Sequence, residues 1–132
     1  GFLILPQYLE YVIAHRAWSV SGGVGVFAVM ISSIPLTTML EEVVFRGLTQ
    51  ERLSWFLGNG PAVIAATVLF ALIHWAPGDP AILLIDMTAI AAGGMIYGVI
   101  YNRSRSIFAA WLAHMLSDFH GIVLLFLIFN FL

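Results

Sequence analysis

Three charges stand inside an otherwise apolar sequence in the stretch Glu41-Glu42-Val43-Val44-Phe45-Arg46-Gly47. Charged side chains at lipid depth are costly, so they usually face the interior of a helix bundle and mark a functional site. In a helix, Glu42 and Arg46 lie four residues apart on one face, in the favourable order for an ion pair. Glu41 points about 100° away and is less well neutralised. The spacing predicts that Arg46 holds Glu42 ionised while Glu41 is free to act as a general base. From this stretch alone, a purely structural cluster of three charges is an equal alternative.

The composition predicts an integral membrane protein. Of the 132 residues, 61% are hydrophobic and 9% are charged, whereas soluble domains carry about 25% charged residues. A membrane span needs roughly 20 apolar residues, so the chain is expected to form an all-α, polytopic transmembrane bundle of about five to six membrane helices. We expect one domain over residues 1–132. The absence of cysteine excludes disulfides and thiolate chemistry, and the absence of a basic patch excludes nucleic acid as a partner.

Turn signals divide the chain into helices. Residues 2–18 fit either a short span or an in-plane amphipathic helix. Pro35 predicts the end of one span and the start of a second helix, which runs to about residue 56 and contains the acidic pair. Gly94 and Gly98 have the small-xxx-small spacing that permits close helix contact. Three turns or loops separate the later helices, at residues 58–61, 77–80 and 102–106.

These connections differ in charge. The 58–61 turn and the 102–106 loop contain or adjoin the arginines Arg52, Arg103 and Arg105. The 77–80 turn has neither lysine nor arginine. By the positive-inside rule, the two arginine-bearing connections are predicted to be cytoplasmic and the 77–80 turn to lie on the opposite side. Because the chain begins with glycine and not methionine, we expect trimming at the N-terminus. The early segment shows no signal-peptide pattern.

Ionisable residues on three predicted helices lie at similar depth. At 1.5 Å per residue, Glu41 and His74 each lie roughly 20 Å from the nearest arginine-bearing connection, and His114 and Asp118 lie roughly 10–17 Å from theirs. Scattered core histidines would not need to agree in height, so the four residues are predicted to converge on one site. His114 and Asp118 also share a helix face, which would allow Asp118 to orient His114.

Three kinds of function fit this set of residues. Glu41 and His74 can hold and deprotonate a water that attacks a carbonyl, with His114 stabilising the oxyanion. The same residues Glu41, His74 and His114 can instead ligate a zinc ion, as in a metalloprotease. A non-enzymatic carrier, or an immunity or docking protein, would use the buried charges as a relay or a binding site.

Three motifs stand in order along the chain: Glu41-Glu42-x-x-x-Arg46, Phe70-x-x-x-His74 and His114-x-x-x-Asp118. With the Tyr-Asn-Arg-Ser-Arg-Ser-Ile-Phe-Ala-Ala-Trp-Leu-Ala-His run at 101–114, they resemble the CAAX protease and bacteriocin-processing (CPBP, or Abi) family. The resemblance covers a core of about residues 30–120. It implies an all-helical intramembrane endopeptidase that hydrolyses a peptide bond of a membrane-anchored or C-terminally processed substrate without a metal.

The resemblance also assigns roles to the motif residues. Glu41 and His74 would activate the water, and His114 with residue 118 would stabilise the oxyanion. The supporting residues would be Glu42, Arg46 and Phe70. In the family the last motif more commonly ends in asparagine, which donates a hydrogen bond, whereas Asp118 donates only when protonated. We therefore expect Asp118 to charge and aim His114 instead.

The remaining expectations concern cofactor, partners and location. The resemblance favours a glutamate-dependent mechanism with no cofactor over the zinc alternative. The expected partners are a membrane-embedded or membrane-anchored peptide substrate and the lipid bilayer. The expected location is a prokaryotic cytoplasmic membrane. The sequence defines neither the substrate nor the oligomeric state.

Overall fold

The structure, a computed structural model, describes residues 4–15 and 23–131, with side chains for 4–15 and 24–127. A π-helical segment, Val43–Gln50, joins the second α-helix to the third. Among the described residues there is no strand, so the predicted all-α fold is confirmed. The α-helices are α1 (Ile4–His15), α2 (Gly23–Glu42), α3 (Glu51–Leu57), α4 (Asn59–Ile73), α5 (Pro80–Ser104) and α6 (Ile107–Phe131).

The described helices suit a membrane. Three stretches are long and apolar enough to cross a bilayer, namely Val24–Leu57, Pro80–Ser104 and Ile107–Leu127, and α4 is apolar but shorter. The predicted integral membrane helix bundle is therefore confirmed. The 12 residues of α1 reach about 18 Å, short of the roughly 30 Å hydrocarbon core. Residues 2–3 and 16–18, the two ends of the segment predicted to be a short span or an in-plane helix, lie outside the described residues.

The predicted helix break at Pro35 is wrong, because α2 continues through the proline. On the neighbouring helix, the Trp111 indole nitrogen Nε1 donates to the Pro35 carbonyl over 2.9 Å. Serine and threonine side chains and neighbouring helices let a membrane helix tolerate proline, because they bind backbone groups near it. Four hydroxyl side chains around the proline donate to carbonyls of α2: Ser32, Ser33, Thr37 and Thr38.

Local sequence also sets where α4 ends and α5 begins. Proline at 77 disfavours helical conformation in the residue before it, and α4 ends one residue before His74. Asp79 then caps α5, since its side chain accepts from the Ala81 backbone nitrogen over 2.9 Å. Pro80 occupies the first helical position, where its missing N–H costs nothing. The short connection fixes His74 at the end of α4.

Helix α5 approaches its neighbours closely at two glycines. A Cβ at Gly94 would lie 3.0 Å from Phe70 Cδ1, and one at Gly98 would lie 3.0 Å from Gln50 Oε1. Arg46 Nη2 donates to the Gly94 carbonyl, and Gln50 Nε2 donates to the Gly98 carbonyl, each over 3.0 Å. The predicted small-xxx-small contact is thus confirmed, with polar bonds between the helices.

The two arginine-bearing connections lie at one end of the bundle. Val63 of α4 packs beside Gly98 of α5, and Phe70 beside Gly94, so the two helices are antiparallel. The predicted 58–61 turn and 102–106 loop are shorter in the structure, because residues 59–61 already belong to α4 and residues 102–104 still belong to α5. Arg105, directly after α5, bonds both carboxylate oxygens of Glu51 through Nη2, at 2.7 and 2.8 Å. The start of α4 and the end of α5 therefore share an end, as the charge pattern predicts. Which side of the membrane this end faces stays a prediction.

Candidate active site

Four ionisable side chains from three helical regions meet. Glu41 comes from the end of α2, His74 follows α4, and α6 supplies both His114 and Asp118. Glu41 Oε2 lies 3.9 Å from His74 Nε2 and 3.8 Å from His114 Nε2. Asp118 Oδ1 lies 3.7 Å from His114 Nε2. The convergence predicted from depth is confirmed, while the chemical roles of the residues stay predictions.

The two adjacent carboxylates have different surroundings. Glu42 Oε2 lies 3.1 Å from Arg46 Nε, and both side chains are 0% exposed. These two atoms are close enough for an ion pair, but their geometry does not meet the angles of a hydrogen bond. The Glu41 side chain is 32% exposed. The predicted Glu42–Arg46 ion pair is confirmed, and Glu41 is the more exposed of the two carboxylates. That Arg46 holds Glu42 ionised stays a prediction.

The π-helical segment begins directly after the acidic pair. A π turn takes up an extra residue, and π turns are frequent at functional sites. Here the segment buries the side chains of Phe45, Arg46 and Gln50, and two of these reach the carbonyls of α5. It therefore holds the arginine in the bundle while Glu41, in the preceding α-helical turn, stays partly exposed.

His74 has a defined hydrogen-bonding state. Its Nδ1 lies 2.8 Å from the Phe70 carbonyl oxygen, which can only accept, so Nδ1 donates. In the neutral ring Nε2 is then an acceptor, and this is the nitrogen that faces Glu41. The backbone of His74, at φ −91° and ψ 0°, lies in the sparsely populated bridge region that many active-site residues occupy.

His114 is oriented by a partner that sequence reasoning missed. Its Nδ1 donates to Glu42 Oε1 over 2.8 Å. The sequence predicts that Asp118 aims this ring, but at 3.7 Å from Nε2 its carboxylate is beyond hydrogen-bond distance. The residue that aims His114 is Glu42, because it is buried beside the ring, whereas the Asp118 side chain is 43% exposed.

Aromatic rings surround both histidines. Phe70, for which a supporting role is predicted, has its ring centroid 4.6 Å from that of His74 and 5.8 Å from that of His114. Tyr97 stacks on His114 with centroids 4.4 Å apart, and sequence reasoning did not single it out. The sequence feature that could have pointed to Tyr97 is its place between Gly94 and Gly98, where α5 packs closely against its neighbours.

The geometry suits a shared water. Glu41 Oε2 and His74 Nε2 are both acceptors, and a water about 2.8 Å from each can donate one hydrogen to each across a 3.9 Å gap. A tetrahedral zinc bound to the same two atoms would bring them to about 3.4 Å. Among the described residues, no group of three or more His, Cys, Asp or Glu side chains is arranged to hold a metal ion.

The fold and the site together define an integral membrane helix bundle with a Glu–His centre. Residues 23–120, about three quarters of the chain, match the family model described as type II CAAX prenyl endopeptidase Rce1-like. The chain belongs to this family and is an intramembrane CAAX endopeptidase. The resemblance drawn from the three motifs is therefore confirmed. Comparison with curated proteins and with solved structures gives no match.

Proposed function

We propose that this protein hydrolyses a peptide bond of a membrane-anchored or C-terminally processed substrate through a water held by Glu41 and His74, without a metal. One observation supports this most strongly: Glu41 Oε2 and His74 Nε2 face each other at 3.9 Å. The His74 hydrogen bond to the Phe70 carbonyl leaves Nε2 available to accept from that water. Both groups are at the more exposed side of the site, where a substrate can reach them.

The proposed reaction uses Glu41 twice. Glu41 takes a proton from the water as the water oxygen attacks the carbonyl carbon. His114 Nε2 donates to the resulting oxyanion. Because Nδ1 already donates to Glu42, this requires the doubly protonated ring. As the C–N bond breaks, Glu41 returns its proton to the leaving amine nitrogen, so that the products are an acid and an amine.

The surroundings of the site favour a substrate within the membrane. Leu40 and Val44, on either side of the acidic pair, are exposed, and so is Trp75 next to His74. An apolar segment or a lipid-modified C-terminus could pack against these side chains favourably, because none of them carries a charge that would have to lose its solvation. The description of the family adds a prenylated CAAX C-terminus as the first substrate class to test.

The test is cleavage of a panel of membrane-anchored peptides by purified protein, with and without chelator. The panel contains prenylated C-termini, bacteriocin leaders and C-terminal sorting signals. We expect chelator-resistant cleavage that falls by about 10²–10⁴-fold in Glu41→Ala and in His74→Ala. His120→Ala is the matched control, because His120 is an exposed histidine on α6 outside the site.

Two outcomes would contradict the proposal. Cleavage abolished by chelator and restored by zinc would favour a metalloprotease that uses Glu41, His74 and His114. An absence of cleavage across the panel, with correctly folded protein, would favour the carrier or docking function.

A further inference from the structure

A buried tyrosine that the proposed reaction does not use lies against its oxyanion-stabilising histidine. Tyr97 is 7% exposed, and its ring and the His114 imidazole stack with planes 18° apart. We infer that Tyr97 is a positioning residue whose ring face fixes the plane of His114. The inference rests on the proposed function, because it concerns how His114 serves the oxyanion.

The hydrogen bond to Glu42 cannot fix His114 alone. It holds Nδ1 at one point, and the ring can still turn about that contact and swing Nε2 away from Glu41. Tyr97 closes one face of the ring, and Phe70 presents its edge with planes 77° apart. One hydrogen bond and two ring contacts together hold the ring in the orientation in which Nε2 faces Glu41. An oxyanion donor needs this, because misplacement by an ångström is costly.

The sequence of α5 makes room for the Tyr97 ring. A Cβ at Gly93 would lie 3.3 Å from the Tyr97 hydroxyl oxygen and 3.5 Å from its ring carbons. Glycine at this position thus lets the tyrosine lie back along α5 towards the preceding turn, which is the usual direction of helical side chains. The helix that carries the tyrosine thus makes room for its ring, whose face lies against His114 of α6.

The test separates the ring from its hydroxyl. Tyr97→Leu removes the ring, and we expect it to lower kcat by about tenfold to a hundredfold with KM unchanged, as for an interaction made in the transition state. Tyr97→Phe keeps the ring and should restore kcat to near the wild-type value. Tyr101→Leu is the matched control, because Tyr101 is also 7% exposed, one turn later on α5, but it bonds Glu51 outside the site. It should keep kcat.

Two further readouts distinguish positioning from general stability. In a His114→Gln background, Tyr97→Leu should cause no further loss, because its effect passes through His114. The ring-proton NMR signals of His114, assigned by their absence in His114→Gln, should carry a ring-current shift that Tyr97→Phe keeps and Tyr97→Leu loses.

Several results would overturn the inference. They are wild-type kcat in Tyr97→Leu, an equal loss in Tyr97→Phe, or a loss that adds fully to that of His114→Gln. These results are distinguishable from failure of the proposed function, in which the wild-type protein itself cleaves nothing.

Discussion

Glu41 and Glu42 are neighbours in sequence with opposite surroundings. Successive side chains on a helix point about 100° apart, so one carboxylate can face the interior of the bundle while the next is partly exposed. Glu42 lies among Arg46 and His114, fully buried. Glu41 lies between His74 and His114 and is partly exposed. The environment of each carboxylate, and not its identity, sets its task.

The two carboxylates beside His114 should differ in importance. Asp118 is partly exposed and makes no hydrogen bond to the ring, so Asp118→Asn should lower kcat by about fivefold or less. Glu42→Gln changes the group that aims the ring and should lower kcat by about 10²-fold. Steady-state cleavage assays on both variants measure which one loses more kcat, and their unfolding temperatures serve as controls. Full activity in Asp118→Asn would refute a charge-dependent role for Asp118, and a reversed order would refute aiming by Glu42.

The Glu42–Arg46 pair should dominate the response of stability to substitution. Arg46→Met leaves a buried carboxylate without its partner, which should cost about 3–5 kcal/mol of unfolding free energy. Replacing both residues, in Glu42→Leu with Arg46→Met, should recover most of that loss, because no uncompensated charge is left. Unfolding in detergent micelles measures both variants. A double variant as unstable as the sum of its single variants would contradict this account of the pair.

At the level of the helices, pattern alone could predict some features and not others. The ion pair follows from a four-residue spacing, and the contact of α5 with α4 follows from two glycines. The continuity of α2 through Pro35 could not be predicted, because it depends on hydroxyls and on Trp111 from another helix. The π-helical segment has no periodic signature in the side chains, so the sequence could not reveal it.

The same limit applies to the candidate site. Depth along each helix predicts that Glu41, His74 and His114 meet, since depth requires only the rise per residue. The choice of Glu42 as the partner of His114, and the stacking of Tyr97, depend on how α2, α5 and α6 are rotated about their axes. That rotation is set by packing across the whole bundle, which a single sequence does not show.

The close contact at Gly94 gives a test of how helix packing supports the site. In Gly94→Ala the new Cβ would lie 3.0 Å from Phe70, and displacement of that ring would disturb His74 beside it. We expect a loss of about 1–3 kcal/mol in unfolding free energy together with slower cleavage. Gly121→Ala is the control, because no described residue lies within 4 Å of its new Cβ, and it should gain about 0.5–1 kcal/mol. Wild-type activity in Gly94→Ala would show that Phe70 does not position the histidine.

At the scale of the whole molecule, the bundle has two distinct ends. One end holds the turn between α3 and α4 and the connection between α5 and α6, where Arg105 pairs with Glu51 at the start of α3. The other holds the connection from α4 to α5, where the Tyr11 hydroxyl of α1 donates to the Ala76 carbonyl over 3.0 Å. The positive-inside rule predicts that the first end is cytoplasmic.

The natural absence of cysteine makes this orientation simple to test. Single cysteines at the exposed positions Asn59, Ala81 and Ser104 can be labelled with a membrane-impermeant maleimide in intact cells and in inverted vesicles. We expect Asn59→Cys and Ser104→Cys to react only from the cytoplasmic side and Ala81→Cys only from the other. Labelling of the first two from opposite sides would contradict the fold. A complete reversal of all three would contradict the orientation alone.

The central claim is that Glu41 and His74 act on one water, and a double-mutant cycle tests it most directly. Glu41→Gln and His74→Gln should each lower kcat/KM by about 10²–10⁴-fold on a cleaved substrate. Because the two residues would serve a single step, the double variant should be no slower than the slower single variant. Losses that multiply in the double variant, or near-normal cleavage by either single variant, would show that the two side chains do not share the attacking water.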